Sequence, residues 1–329
     1  MKKYPKLFIG PMSKNIVDCI CELPNNSVGL IPSRRQIEHD GGYVNNWTTN
    51  QFTTYVRCKN PNIVIQRDHG GPSQGKTLDD GLLSFKNDCQ NGFDSIHIDP
   101  WKKLQDIDTG IKKTADLINY CYEVNPNCRY EIGTEQAIRE FSVQELDKIF
   151  GDVKKLVGNK FANVKYGVIQ GGTSIVGTKN TGVFEEKKFK DMIEVCKKYD
   201  LLSKEHNGDY LTKEEVSTRF HLGLDSLNIA PEFGFIETKT VLEEILNNQE
   251  EELFERFFKL CYKSNKWKKW VNKNFYLTEF KKHVIIRIAG HYVFSDPNFL
   301  LIKKQMPNIE TKIKENINKR IHEVLCAIK

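Results

Sequence analysis

A short apolar run, a polar or glycine-rich tip and an amphipathic helical stretch follow one another about eight times over residues 1–249 of this 329-residue chain. KLFIGP leads into SKNIVDCICEL, where Ser13 can cap a helix and Ile16, Val17, Ile20 and Leu23 fall at helical spacing. SVGLIPS leads into TTNQFTTYVR, NIVIQRDHGGP into DDGLLSFKNDC, and DSIHIDP into DTGIKKTADLINYCYEV. CRYEIGTEQ, VKYGVIQGGT, DLLSKEHNGDYL and DSLNIAPEFG each precede a further helical stretch. Strands alternating with helices form parallel sheets, and this number of units predicts a closed (β/α)8 TIM barrel. An open doubly wound sheet is the second choice, but no Gly-x-Gly-x-x-Gly follows the first strand. Beyond Gln249 the strand rhythm stops, so residues 250–329 are expected to form a helical C-terminal extension packed on the barrel or an oligomer surface. Within it VIIRIAGHYVF could also be a strand.

The formal charge of +6, from 49 Lys and Arg against 43 Asp and Glu, is a mild excess. Much of it sits in pairs such as Lys187-Lys188, spaced as solvated helix faces are. A phosphorylated small substrate is the next reading of this excess, and no nucleic-acid signature accompanies it. Nine cysteines, an odd number scattered through apolar or helical segments, fit a reducing compartment. MKKYPKLFIGP is too short in its apolar run for a signal peptide, and no stretch has the length of a membrane span, so a cytoplasmic location is expected.

The stretch IVIQRDHGGP changes character halfway: three apolar residues run straight into Arg67, Asp68 and His69. Three ionisable groups at the end of a buried strand are costly unless they find partners. In a TIM barrel the C-terminal strand ends form one rim, and the tips there are Arg34 to Gln36, Asp68-His69, His97 and Asp99, Glu131 and Glu135, Gln170, His206-Asn207-Asp209, and Asn228 with Glu232. His69 and His206 lie on strands four apart and could share a divalent metal, zinc first. Asp99 is read as the third ligand, with Glu135 and His97 also available, and His97 alternatively as a structural hydrogen-bonding residue. Asp68, Glu135 and Asp209 are the candidate catalytic residues, Asp68 as general acid or base. Arg34, Gln36, Gly70, Gln170, Asn207, Asn228 and Glu232 are expected to bind substrate, with Gly70-Gly71 letting backbone amides approach it. No Gly-x-Ser-x-Gly elbow, Walker A loop or kinase set is present.

Seven stretches in order, SRRQIEHDGGYVNNWTTNQF, IQRDHGGP, IHIDPW, YEIGTEQ, VIQGGT, KEHNGDYLT and LNIAPEFGF, resemble the class II D-tagatose-bisphosphate aldolase family, most closely its non-catalytic (GatZ/KbaZ-type) subunit. The resemblance covers most of the chain and implies a TIM barrel acting on a sugar or sugar phosphate. It implies a divalent metal, usually zinc, that polarises a ketose carbonyl during carbon-carbon cleavage. Asp68-His69 match the family's acid/base and ligand pair, His206 matches a later ligand, and Glu135 falls where relatives keep an acidic residue near the metal. The chain departs where relatives carry a histidine after Gln170, since TSIVGTKNTG has none. It also looks shorter than family members. The resemblance therefore leaves a metal-assisted aldolase or retro-aldol epimerase beside a non-catalytic subunit that stabilises an aldolase partner, and a sugar-binding protein without chemistry as a third reading.

Overall fold

The computed structural model describes residues 4–24, 27–271 and 275–328, without the Phe280 side chain. Met1–Lys3, part of the segment read above for a leader, lie outside the described residues. Eight parallel strands form the barrel: β1 (Leu7–Ile9), β2 (Val28–Leu30), β3 (Gln66–Gly70), β4 (Ser95–Ile98), β5 (Arg129–Ile132), β6 (Val164–Ile169), β9 (Leu202–Glu205) and β10 (Ser226–Ile229). A small antiparallel hairpin, β7 (Ile175–Val176) and β8 (Lys179–Asn180), sits in the loop after β6. The strand order is β2-β1-β10-β9-β6-β5-β4-β3, and parallel bridges Leu30 to Ile65 and Ser33 to Asp68 join its two ends. The sheet is thus a (β/α)8 barrel.

The helices follow from local sequence. Helix α1 (Lys14–Glu22) starts at Ser13, whose hydroxyl accepts from the Ile16 N–H. Helices α2 (Thr49–Lys59), α5 (Val143–Val157) and α7 (Lys213–His221) begin with reciprocal capping boxes at Thr48/Gln51, Ser142/Glu145 and Thr212/Glu215. With α3 (Leu82–Gln90), α4 (Ile107–Val124), α6 (Glu186–Lys198) and α8 (Pro231–Asn247) they enclose the sheet. Past α8 come α9 (Glu251–Lys263), α10 (Lys282–Ala289), α11 (Pro297–Lys303) and α12 (Ile309–Ala327), so VIIRIA is helical. Helix α12 lies across α8, α1 and α7, burying Ile309, Ile313, Ile317, Ile321 and Val324 along one face. No helix among the described residues is long and apolar enough to cross a membrane.

The barrel interior is layered because alternate residues of each strand point inward. Phe8, Ile31, Val64 and Tyr166 plug the bottom as a separate apolar cluster. Above them the Lys204 ammonium lies 3.6 Å from the Phe8 ring centroid and 4.4 Å from that of Tyr166. Lys204 and Gln66 both engage Glu131 in the next layer, and Asp68 and His206, two residues further along β3 and past β9, reach the rim.

The charged half of IVIQRDHGGP is resolved by this alternation. The strand begins at Gln66, later than the apolar run suggests, so the ionisable residues belong to β3 itself. Arg67 points outward and is fully buried under α3, with Nε 2.7 Å and Nη2 2.6 Å from the Asp88 carboxylate and Nη1 donating to the Pro32 and Ile37 carbonyls. Replacing Arg67 with methionine is expected to cost about 3–5 kcal/mol, since it strands a buried carboxylate. Urea unfolding of R67M, with R67M/D88L recovering much of the loss, checks this.

Candidate active site

Three histidines converge on the axis of the barrel mouth. The ring centroids of His69, His97 and His206 are 5.1 Å (69 to 97), 5.2 Å (69 to 206) and 5.0 Å (97 to 206) apart. Asp68 joins them, and one ligand atom from each of the four residues lies within 4.8 Å of the others.

Backbone geometry delivers His69. A register shift in the β3–β4 pairing between Arg67 and Gly70 marks an irregularity, and His69 sits there at φ +44°. A non-glycine residue in the left-handed region is strained, and such strain is held where it aims a side chain. Gly70 packs against β4, where a Cβ would come within 2.7 Å of the His97 carbonyl oxygen. Its place is therefore in the close strand approach that supports His69.

Each histidine has one ring nitrogen tied outward. His69 Nδ1 donates to Asp99 Oδ2 at 2.6 Å, His97 Nε2 to the Gly133 carbonyl at 3.0 Å, and His206 Nε2 to Glu131 Oε1 at 2.7 Å. The other nitrogens face the cluster. His69 Nε2 is 3.7 Å and His206 Nδ1 3.6 Å from Asp68 Oδ1, and His97 Nδ1 accepts the His69 backbone N–H at 3.3 Å. Outer hydrogen bonds of this kind fix tautomer and ring orientation in metal-ligating histidines.

Electrostatics support the same division. Burial pushes the His97 pKa down, which favours its neutral imidazole. Burial also opposes a charge on His69, but Asp68, Glu135 and Asp99 outweigh it and hold its pKa well above the ordinary histidine value. Burial would raise Glu131, yet Lys204 (Nζ at 3.0 Å), His97 and His206 hold it well below the usual carboxylate range. Glu135 is likewise opposed by burial and brought down to about 2 by His69, His206 and Asn207. Its Oε2 lies 3.3 Å from His69 Nε2 and accepts from Asn207 Nδ2 at 2.7 Å.

The expected site residues separate into two groups. Asp68, His69, His206, Glu135 and Asn207 come together as described. Asn228 faces the barrel interior as the strand partner of Phe8, and both its side-chain polar atoms are buried without a partner. Asp99, expected as a ligand, stands one step behind His69, its carboxylate also accepting from Thr134 Oγ1 at 3.0 Å, Gln74 Nε2 at 3.3 Å and the Trp101 N–H at 3.2 Å. His97 takes the inner place instead.

The remaining expected residues hold loops. Asp209 Oδ1 accepts the Ala230 and Glu232 N–H groups at 3.0 and 2.7 Å, at the start of α8. Glu232 turns out to Arg320 of α12, 2.7 Å away, beside a groove between α8 and α12. Gln170 spans the loop carrying Glu135, donating to the Thr134 and Arg139 carbonyls and accepting the Phe141 N–H, each at 2.8 Å. Arg34 is buried and paired to Glu38 and Asp79, and Gln36 accepts the Ser33 N–H at 2.7 Å. The segment TSIVGTKNTG forms the β7–β8 region and braces the His206 loop. Thr173 donates to the His206 carbonyl at 2.9 Å, and Asn180 to the Asn207 and Asp209 carbonyls at 2.9 and 3.1 Å.

No family model and no curated protein matches the sequence. Solved structures do. A probable tagatose 6 phosphate kinase from Sinorhizobium meliloti superposes with a TM-score of 0.77 at 14% identity, over 98% of this chain and 100% of that one. Native fructuronate-tagaturonate epimerase UxaE from Cohnella laeviribosi gives 0.64 at 8% identity, over 99% and 81% of the two chains. A fructose-bisphosphate aldolase from Campylobacter jejuni gives 0.59 at 9% identity, over 98% and 90%. At these identities the likeness is one of fold, which aldolases and an epimerase share with this chain.

Proposed function

We propose that the barrel, residues 1–249, is a metal-dependent enzyme acting on a ketose or ketose phosphate, by aldol cleavage and formation or by retro-aldol epimerisation. The observation carrying this reading is the histidine cluster: each ring has one nitrogen hydrogen-bonded away from it, and one ligand atom from each of His69, His97, His206 and Asp68 lies within 4.8 Å of the others, around one point. Asp68 Oδ1, buried and without a hydrogen-bond partner, faces the same point. Neutral imidazoles with a carboxylate suit zinc, so these residues fit the ion that the resemblance implies. His69, His97 and His206 would hold it, and a bound divalent cation supplies Lewis-acid polarisation of a ketose carbonyl.

The chain's own groups do the proton work. Asp68 would take the proton from the hydroxyl on the carbon whose bond breaks, and return it when the bond re-forms. Glu135, held ionised and fixed by Asn207, would orient substrate hydroxyls beside His69. Asn228 offers an unused donor and acceptor to a polar group of the substrate. The alternative, a non-catalytic stabilising subunit, rests on the resemblance to that subunit type and on the histidine absent after Gln170; in place of that histidine, His97 offers a third ring, which supports the enzyme reading. The test is metal analysis of the purified chain with a screen of ketoses and ketose phosphates for cleavage and epimerisation. Turnover that chelation removes and zinc restores is expected; neither metal nor turnover would refute the proposal.

The same geometry sets a pH dependence. His69 is an imidazolium at neutral pH in the metal-free chain, because its pKa is raised. Metal must displace that proton, so affinity should rise with pH, up to about tenfold per unit while His69 remains protonated. Zinc titrations from pH 6 to 8 in buffers of different ionisation enthalpy check both the slope and the proton released.

A further inference from the structure

A buried lysine lies beneath the histidines, above the apolar cluster that closes the barrel bottom. Lys204 stands two positions before His206, on the face of β9 that points into the barrel. Its ammonium donates to Gln66 Oε1 at 2.9 Å and lies 3.0 Å from Glu131 Oε2, and its remaining side meets the Phe8 ring. Exchanging a buried ion pair for apolar side chains of similar volume often leaves stability unchanged or higher. Stability alone therefore gives no reason for a lysine here.

The hydrogen bonds of this layer run in one direction. An ammonium only donates, so each polar group facing it must accept. Gln66 turns its carbonyl oxygen to Lys204, which leaves its amide to donate to Glu131 Oε2 at 2.6 Å. Glu131, as a carboxylate, accepts at both oxygens: Oε2 faces Lys204 and Gln66, and Oε1 takes the His206 Nε2 proton at 2.7 Å. A neutral imidazole that donates at Nε2 carries its lone pair at Nδ1, the nitrogen of His206 that faces Asp68. Lys204, Gln66, Glu131 and His206 are all buried, out of reach of bulk solvent.

We propose that Lys204 is a positioning residue that sets the His206 tautomer through Glu131, by obliging the group at position 131 to accept from both sides. The tautomer assignment stands on these hydrogen bonds alone; its consequence for zinc rests on the reading of the histidine site given above. A carboxylate meets the demand of the lysine and still accepts from His206. An amide at position 131 meets it only by giving its oxygen to Lys204. Its NH2 group then faces His206 Nε2, which must become the acceptor, and the ring proton moves to Nδ1. Removing the lysine as well lifts the demand, since Gln66 can reverse and the amide oxygen can return to His206.

The test is imidazole 15N NMR of the full metal-free chain, labelled at histidine, at about pH 8, above the ordinary histidine range. The His206 signals are identified by their loss in H206N. Wild type is expected to show the Nε2–H form of His206, E131Q the Nδ1–H form, and E131Q/K204M the Nε2–H form again. A lysine that only fills the barrel would move stability and leave the tautomer alone. Zinc affinity should fall about tenfold or more in E131Q and return to within about threefold of wild type in E131Q/K204M. The Nδ1–H form in wild type or in E131Q/K204M, or the Nε2–H form in E131Q, overturns the proposal. Where E131Q does not fold, wild type and the charge-balanced E131Q/K204M still decide it. The expected tautomers without zinc binding by wild type would uphold the role of Lys204 and refute the proposed function, and zinc binding by wild type in the Nδ1–H form would do the reverse.

Discussion

Replacing His97 with alanine is expected to lower zinc affinity by more than about 100-fold, because loss of an inner ligand should exceed the roughly 10–100-fold cost of losing an outer partner. His97 is fully buried and its Nε2 satisfies the Gly133 carbonyl, so a purely structural histidine would also be damaged by the change. Glutamine separates the two roles. Its side-chain amide can restore the bond to Gly133 but offers no nitrogen lone pair at the Nδ1 position. H97Q should therefore recover most of the stability that H97A loses, on the order of 1–3 kcal/mol for an unsatisfied buried group, without recovering zinc. Equilibrium dialysis and thermal melts of the two variants read these effects independently. Full zinc binding by H97Q would return His97 to a structural role.

Asp68→Asn is expected to reduce turnover by about 10²–10⁴-fold, the range for loss of a positioned acid or base. The side chain is only partly buried, nearly isosteric with its replacement, and uses no hydrogen bond at Oδ1, so the fold should tolerate the change. Single-turnover rates at saturating zinc distinguish proton transfer from ligation. A rate that excess metal restores would make Asp68 chiefly a ligand, and a rate that stays low keeps it as the acid/base.

How far the sequence foretold this site depended on what each residue's neighbours revealed. The strand-helix rhythm was legible because each strand carries its apolar run and several helices carry explicit caps, as at Ser13, Thr48, Ser142 and Thr212. Asp68, His69 and His206 were legible from polar residues abutting apolar runs. His97 stood among the available ligands but behind Asp99, although Ile96-His97-Ile98 carries a signal for its inward direction. An ionisable residue between two apolar ones, in a strand whose outer face meets helices, points into the barrel. Tyr130-Glu131-Ile132 carries the same signal for Glu131, a rim residue not assigned a role, and Lys204 lies two positions before His206. Nothing comparable foretold the hydrogen-bond partners of Asp209, Gln170 and Arg34. Their partners are backbone groups and carboxylates brought near by loop folding, as with Asp209 at the α8 N–H groups.

The pairing of His69 also lay beyond sequence spacing. Its left-handed backbone sets a direction that regular strand alternation would not give, and Asp99 comes within 2.6 Å of its Nδ1 only because β3 and β4 shift register there. Asp99 therefore reads as a ligand in sequence and stands as the hydrogen-bond partner of His69 in space.

Crystals grown with Zn2+ and measured across the zinc absorption edge test the metal centre most directly. The expected result is a single anomalous peak about 2.0–2.1 Å from His69 Nε2, His97 Nδ1 and His206 Nδ1, with the bonds to Asp99, Gly133 and Glu131 retained. A map without zinc density among the three rings, with His69 still bonded to Asp99 and Glu135, would contradict it.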